Sequence, residues 1–418
     1  MIIEKILSIL LCMVTFITGS VYVFAVDDLY IADNDIKSRI SDDELLINLA
    51  EDVLNASREY YHVSNIRVEN KEISYTNGIY SVDYVIEMDE LLKAENAMEL
   101  PQMQGIAEAL ELDNKITTAQ LDEAINERKL ENAVLKGNDV DVQSISKDVY
   151  TYAQKEIVEF VNNIENEYIG KTYPGAVILR ANFDSYGNFI KLQTQTLFGE
   201  FTDDLSITMP ESYSTMKDRG RSQLYNTLEK YSFASKNISS SIEPMANTFT
   251  YKRVDAANYA NKYTSNAKGH NCGKIIHKGK TALQDYSKYN SEYDHYCSND
   301  CANYVSQAML AGGVPTDSTW YPGSTTWINC DKLASYFTET HNWWQTTNFE
   351  KCNAGGIIAL YNKKDVDLTH VMMTVKNDTV EHRLSAHTND RKYVLYNSDV
   401  LGSDETHFIA YYQFYKTT

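Results

Sequence analysis

Residues 300–313 read DCANYVSQAMLAGG, and their pattern predicts one helix over Cys301–Ala311. Gly312-Gly313 ends this helix because glycine readily takes the left-handed conformation that terminates helices. Asp300 stands at the N-cap position, which puts Cys301 in the first turn. Backbone N–H groups and the helix dipole at that end favour a thiolate over a thiol. Cys301 is therefore the candidate nucleophile.

A cysteine nucleophile also needs a base and a third group that orients the base. His370 opens an apolar strand, and His387 ends a later one. Neighbouring antiparallel strands would bring these two histidines together, and Asn389 and Asp390 follow the second. The chain order is thus cysteine, histidine, polar residue.

In the C-terminal part of the chain, from about residue 250 onward, the predicted helices precede the predicted strands. Two further helices are predicted at 254–263 and 330–337, and residues 264–296 are polar and irregular. Five strands are predicted after them, at 356–361, 370–375, 380–386, 394–397 and 408–414. This order predicts an α+β domain and is that of a papain-like fold.

Four segments resemble the "putative amidase domain" family common in Gram-positive bacteria, which is related to papain-like cell-wall peptidases. They are residues 300–307 with Ala311-Gly312-Gly313, residues 257–263, the pair Thr326-Trp327, and residues 387–391. The chain differs from the family at Ala302, where threonine is usual, and at Gly355-Gly356, where Gly-Asp is usual. The resemblance covers about residues 250–418 and implies a papain-like cysteine amidase or peptidase.

The resemblance also implies roles for individual residues. Cys301 would be the nucleophile and His370 the base, with His387 as third member and Asn389 or Asp390 as alternatives. Aromatic residues follow the cysteine helix where a papain-like groove has a wall. Trp320, Tyr321 and Trp327 are therefore predicted to line the substrate groove, with packing in the core as the alternative.

Five of the six cysteines lie beyond the N-terminal apolar segment, and an odd number in an exported protein indicates one free thiol. Pairing Cys272 with Cys297 and Cys330 with Cys352 would leave Cys301 as that thiol. The main alternative to a cysteine nucleophile is a zinc amidase, whose metal site would be formed from His270, Cys272, His277, His295 and Cys297. Its spacing matches no zinc pattern, so we predict neither a metal nor a cofactor.

The N-terminal end carries Lys5 and an apolar run from Ile6 to Ala25, which is typical of a secretory signal peptide over 1–25. An uncleaved membrane anchor is the alternative, because the run is near bilayer-spanning length. The formal net charge is −20, and the whole acidic excess lies before residue 247. Without a basic cluster, a nucleic-acid partner is not expected. The sequence predicts a secreted or cell-surface protein.

The acidic region is predicted as an α+β accessory domain over 27–232, joined by a linker at 233–247 to the domain at 248–418. Its predicted helices are 41–61, 89–110, 117–135 and 145–168, and its predicted strands are 65–74, 79–87, 176–183 and 189–197. The turn Thr76-Asn77-Gly78 should close a hairpin. No partner of this domain is predicted.

Export and the family resemblance together predict a secreted cysteine amidase or peptidase that hydrolyses amide bonds, with peptidoglycan or a peptide as substrate. One alternative is a cysteine protease or acyl transferase that acts on surface proteins. Another, from a different class, is a catalytically inactive cell-envelope binding protein that retains the fold.

Overall fold

The structure, a computed structural model, describes residues 33–113, 115–137, 147–196, 200–237, 249–266, 270–277, 280–284, 286–296, 299–388, 390–396 and 407–414. These residues form helices packed on a large mixed sheet, so the predicted α+β class is confirmed. The predicted signal peptide at 1–25 lies outside the described residues. None of the described helices is long and apolar enough to cross a membrane.

The strands of the described chain belong to one large sheet and one hairpin. They are β1 Tyr61–Thr76, β2 Ile79–Leu92, β3 Thr172–Asp184, β4 Phe189–Gln195, β5 Phe201–Thr202, β6 His270–His277, β7 Lys280–Gln284, β8 Trp344–Thr347, β9 Ile357–Asn362, β10 Leu368–Asn377, β11 His382–Ala386, β12 Arg391–Tyr396 and β13 His407–Phe414. The large sheet has the order β1-β2-β3-β12-β11-β10-β9-β13-β8, with β4 on β3 and β5 on β4. Strands β6 and β7 pair only with each other.

The longer helices of the described chain are divided between its two halves. They are α1 Asp43–Ser57, α2 Pro101–Ala109, α3 Glu127–Gly137, α4 Lys147–Tyr168, α5 Tyr213–Asn237, α6 Arg253–Lys262, α7 Cys301–Ala311 and α8 Cys330–Ser335. Residues 33–40 are also helical. Single helical turns cover Leu121–Ala124 and Thr325–Ile328, and a π-helical turn, Tyr336–Thr340, follows α8.

The predicted hairpin of the N-terminal half is confirmed: β1 and β2 pair on either side of the Asn77-Gly78 turn, where φ is 54° and 82°. The predicted helix over 89–110 is wrong in its first part, because β2 continues to Leu92 and α2 begins only at Pro101. Buried and half-buried residues alternate from Glu87 to Leu92. The inward-facing positions include Glu90, a residue type that normally indicates an exposed surface.

Helix α5 has no counterpart among the predicted elements. It packs on α2, and a Cβ on Gly105 would lie 2.0 Å from the carbonyl oxygen of Lys217. Only glycine permits this approach of the two helices. The first residues of the predicted linker at 233–247 belong to α5, and residues 238–248 lie outside the described part of the chain.

The C-terminal half follows its predicted element order closely. Helix α7 has the predicted bounds Cys301–Ala311, and the five predicted strands correspond to β9 through β13. Strand β8 and the β6–β7 hairpin were not indicated by the pattern, and the hairpin occupies part of the stretch described above as irregular. Helix α7 is buried from Cys301 to Met309 and packs against α6 and β10. This packing brings the predicted nucleophile to the strand that carries His370.

The large sheet runs through both predicted domains. Strand β3 of the N-terminal half lies parallel to β12 of the C-terminal half, with Ala176 opposite Val394. The other neighbours of β12 and β3 belong to their own halves. The acidic region is therefore joined edge to edge to the cysteine-bearing half.

A buried ionic cluster crosses this junction. Arg58 and Glu90 come from the N-terminal half, whereas Lys376, Glu381 and Arg383 come from β10, β11 and the turn between them. Glu90 lies 2.6 Å from Arg58, 2.9 Å from Arg383 and 3.4 Å from Lys376. All five side chains are at most 2% exposed. Such charges are tolerated in a protein interior only when they are paired.

Candidate active site

Cys301 begins α7 and is 6% exposed. Its Sγ lies 3.4 Å from the Sγ of Cys330, the first residue of α8. The side chain of His370 and the backbone N–H of Val371 lie close enough to the Cys301 sulfur to lower its pKa. Two of the predicted site residues, Cys301 and His370, therefore meet at the start of the cysteine helix.

These neighbours control the ionisation of Cys301. The hydrogen bond from Cys330 is the largest influence and lowers the pKa of the Cys301 thiol; burial opposes it, and the charge and hydrogen bond of His370 lower the pKa further. The pKa of Cys301 is thereby held well below its ordinary value. The same contact raises the pKa of Cys330 well above its ordinary value. The pair is therefore asymmetric: ionisation is favoured at Cys301 and disfavoured at Cys330.

Cys330→Ala is expected to raise the pKa of Cys301, because the variant removes the strongest donor to the thiolate. The measurement is the pH dependence of iodoacetamide alkylation at Cys301, followed by peptide mass spectrometry. The wild-type midpoint should lie below the ordinary value of 9.0, and the alanine variant should shift it upward. Cys330→Ser should restore part of the shift because its hydroxyl also donates. Equal midpoints in the wild type and the alanine variant would contradict this role for Cys330.

Asp300 stands at the predicted N-cap position, but its carboxylate does not cap α7. It accepts hydrogen bonds from the backbone N–H of Tyr296 at 2.8 Å and from the amide of Asn303 at 2.9 Å. Its other oxygen lies 2.6 Å from Nδ1 of His387. Both carboxylate oxygens of Asp300 are therefore engaged by partners other than the backbone N–H groups of α7.

His387 is enclosed rather than directed at the base. Its Nε2 lies 2.6 Å from the carbonyl oxygen of Tyr263, so both ring nitrogens face hydrogen-bond acceptors. The ring stacks between Tyr289 at 3.7 Å and Tyr304 at 4.0 Å, and the residue is 1% exposed. The structure therefore places His387 with Asp300, beside the nucleophile, and gives it no free nitrogen with which to orient His370.

Of the two alternatives for the third member, the structure describes only Asp390. Asp390 is buried and accepts a hydrogen bond from the hydroxyl of Tyr289 at 2.8 Å, in the same cluster as His387. Asn389 lies outside the described residues. The residue that orients His370 thus stays a prediction.

The predicted groove wall is largely core. Trp320 and Trp327 are fully buried, and their rings lie 4.7 Å apart. The indole N–H of Trp327 donates to the side-chain oxygen of Asn303 at 2.8 Å, which ties Trp327 to α7. For these two residues the alternative of core packing is correct. Tyr321 is 48% exposed and remains available to a substrate.

The disulfide predicted between Cys330 and Cys352 is not present in the structure. Cys330 and Cys352 are both free thiols, and Cys352 is buried 3.2 Å from the hydroxyl of Thr374. The pairing predicted for Cys272 and Cys297 lies outside the described side chains. Cys330 is the site residue that the sequence reading missed. Its 29-residue separation from Cys301 follows no recognised pattern, so the sequence offered no signal for it.

Metal ligands are not gathered in the described part of the chain: no group of three or more His, Cys, Asp or Glu side chains there could hold an ion. The side chains of the zinc alternative at residues 270–277 are not described.

Comparison with known proteins agrees with the C-terminal geometry. Residues 250–412 match the family model described as "Putative amidase domain". A stretch of 64 residues is 36% identical to the uncharacterized protein YjcM of Bacillus subtilis (strain 168). That stretch covers 14% of this chain and 16% of the Bacillus protein, which is well below two thirds of its length. No solved structure matches the chain. The family match supports amide hydrolysis as the activity of this region.

Proposed function

We propose that this protein is a papain-like cysteine amidohydrolase that cleaves amide bonds in the peptide part of peptidoglycan. The observation that carries the proposal is the position of Cys301 at the start of a buried helix, with the Cys330 sulfur 3.4 Å away and His370 close enough to lower the pKa of the Cys301 thiol. A low thiol pKa next to a histidine is the chemistry of an activated nucleophile. The match of residues 250–412 supports amides as the bond class.

The proposed reaction begins when the Cys301 thiolate attacks the carbonyl carbon of the substrate amide. The resulting oxyanion is stabilised by backbone N–H groups of the first turn of α7, including that of Cys301, which have no acceptor within the helix. His370 gives its proton to the departing amine, and the C–N bond breaks to leave a thioester. His370 then takes a proton from water, whose oxygen attacks the thioester and releases the acid and the thiolate.

The proposal also specifies where the enzyme acts and which substrate it meets there. The predicted signal peptide would bring the enzyme to the cell wall, and the resemblance links its catalytic half to cell-wall peptidases. We place the acidic half as a positioning module, because β3 continues the sheet that carries His370. Its charge also keeps an exported protein soluble.

Digestion of purified peptidoglycan by the protein without residues 1–25, with a chelator present, tests the proposal. We expect soluble fragments with one new amine and one new carboxyl group, identified by mass spectrometry. No release, together with selective alkylation of Cys301 at low pH, would reject peptidoglycan and favour a protein substrate. No release and an ordinary Cys301 pKa would favour an inactive binding protein. Cleavage that the chelator abolishes would reject the cysteine mechanism.

A further inference from the structure

Two thiols of unequal accessibility lie side by side at the proposed nucleophile. Cys301 is 6% exposed, whereas Cys330 is half-buried, and their sulfur atoms are 3.4 Å apart. Each is the first residue of its helix, so the two backbones are fixed by α7 and α8. The third free thiol in the described chain, Cys352, is fully buried beside Thr374 and has no such neighbour.

We propose that Cys301 and Cys330 form a site of reversible modification, at which small-molecule disulfides such as oxidised glutathione convert the two thiols into an intramolecular disulfide. A disulfide needs its sulfur atoms about 2.05 Å apart. From their present separation of 3.4 Å the two sulfur atoms must approach by roughly 1.4 Å to form the bond. The inference deepens the proposed function, because the same bond would remove the nucleophile.

The proposed thiol–disulfide exchange takes place in two steps. The Cys301 thiolate attacks one sulfur of oxidised glutathione, which breaks the S–S bond, forms a mixed disulfide on Cys301 and releases one glutathione thiolate. Cys330 then gives its proton to solvent and attacks the Cys301 sulfur, which expels the second glutathione thiolate. The protein loses two electrons, and the oxidised glutathione gains them.

The arrangement favours both steps. Thiolate character on Cys301 makes it the attacking group in the first step. Once its sulfur is bound to glutathione, Cys301 carries no charge, so the repulsion that disfavours a Cys330 thiolate disappears. The second step is intramolecular, and the high effective concentration at 3.4 Å favours it over release of the mixed disulfide.

The test uses the full chain without residues 1–25, incubated with oxidised glutathione and then digested under acid for peptide mass spectrometry. The wild type should lose two thiols, yield a Cys301–Cys330 linked peptide without bound glutathione, and revert with dithiothreitol. Cys330→Ser should instead retain one glutathione on Cys301. Cys352→Ser, the matched control, should behave like the wild type.

A stable glutathione adduct on wild-type Cys301, a disulfide that joins Cys301 or Cys330 to a different cysteine, or no reaction of these two thiols in the folded protein would each overturn the inference. These readouts need no substrate, so they are independent of the proposed hydrolysis. If the disulfide forms in a protein that hydrolyses peptidoglycan, hydrolysis should be lost on oxidation and recovered on reduction. An oxidised protein that still hydrolyses would overturn the claim that the bond blocks the nucleophile.

Discussion

Cys301→Ala is expected to lower the rate of fragment release from peptidoglycan by about 10³-fold or more, because no other group replaces the attacking sulfur. The loss should appear in kcat, since the methyl side chain removes the covalent step without removing the binding surface. The measurement is the initial rate of release at saturating substrate, with fragments quantified by mass spectrometry.

Two variants make this result interpretable. Cys352→Ala removes another buried thiol outside the site, so it should retain activity if cysteine loss alone is not responsible. His370→Ala should lower the rate strongly but not further in combination with Cys301→Ala, because residues that act as a unit are not additive. Full activity of a folded Cys301→Ala protein would remove Cys301 from the mechanism.

The position of Cys301 at a helix start could be predicted because it depends on local signals. A small-residue helix ended by Gly312-Gly313 predicts its own bounds, and these agree with the structure from Cys301 to Ala311. The apolar run at 370–375 likewise indicates β10, which the structure places at Leu368–Asn377. Packing of β10 against α7 then brings His370 to Cys301.

The partners of the site could not be predicted because they are contacts through space. His387 follows a strand end, as a catalytic residue would, yet it binds Asp300 and the Tyr263 carbonyl. Cys330 reads as an ordinary helix residue, and only the fold places its sulfur at the nucleophile. Sequence periodicity reports which face of an element is buried, not which side chains meet there.

The same limit explains the error in β2. The stretch from about residue 89 is charged and has apolar residues at helical spacing, which predicted a helix. The cations that make Glu90 acceptable in the interior include Arg383, which lies 293 residues later in the chain. Gly175 on the neighbouring strand makes room for the carboxylate, since a Cβ there would lie 2.0 Å from its oxygen. Burial of Glu90 is therefore a property of the junction between the two halves.

Glu90→Gln is expected to lower the free energy of unfolding by about 3–5 kcal/mol, the usual effect of removing one partner from a buried ionic cluster. The variant keeps the shape of the side chain but leaves Arg58, Arg383 and Lys376 with one carboxylate fewer. Chemical denaturation of the full chain measures the loss. Glu87→Gln, on the same strand, removes a partly exposed pair with Arg67 and should cost about 1 kcal/mol or less.

The pH dependence gives an independent check on the same residue. Burial opposes ionisation of Glu90, but Arg383, Arg58 and Lys376 outweigh it and lower its pKa from 4.5 to about 2. A carboxylate whose pKa is lower in the folded state contributes stability above pH 4.5, and this contribution is lost as pH falls toward 2. The stability of the wild type should therefore fall more steeply over this range than that of Glu90→Gln. Parallel curves, or equal stability at neutral pH, would show that the cluster does not hold the two halves together.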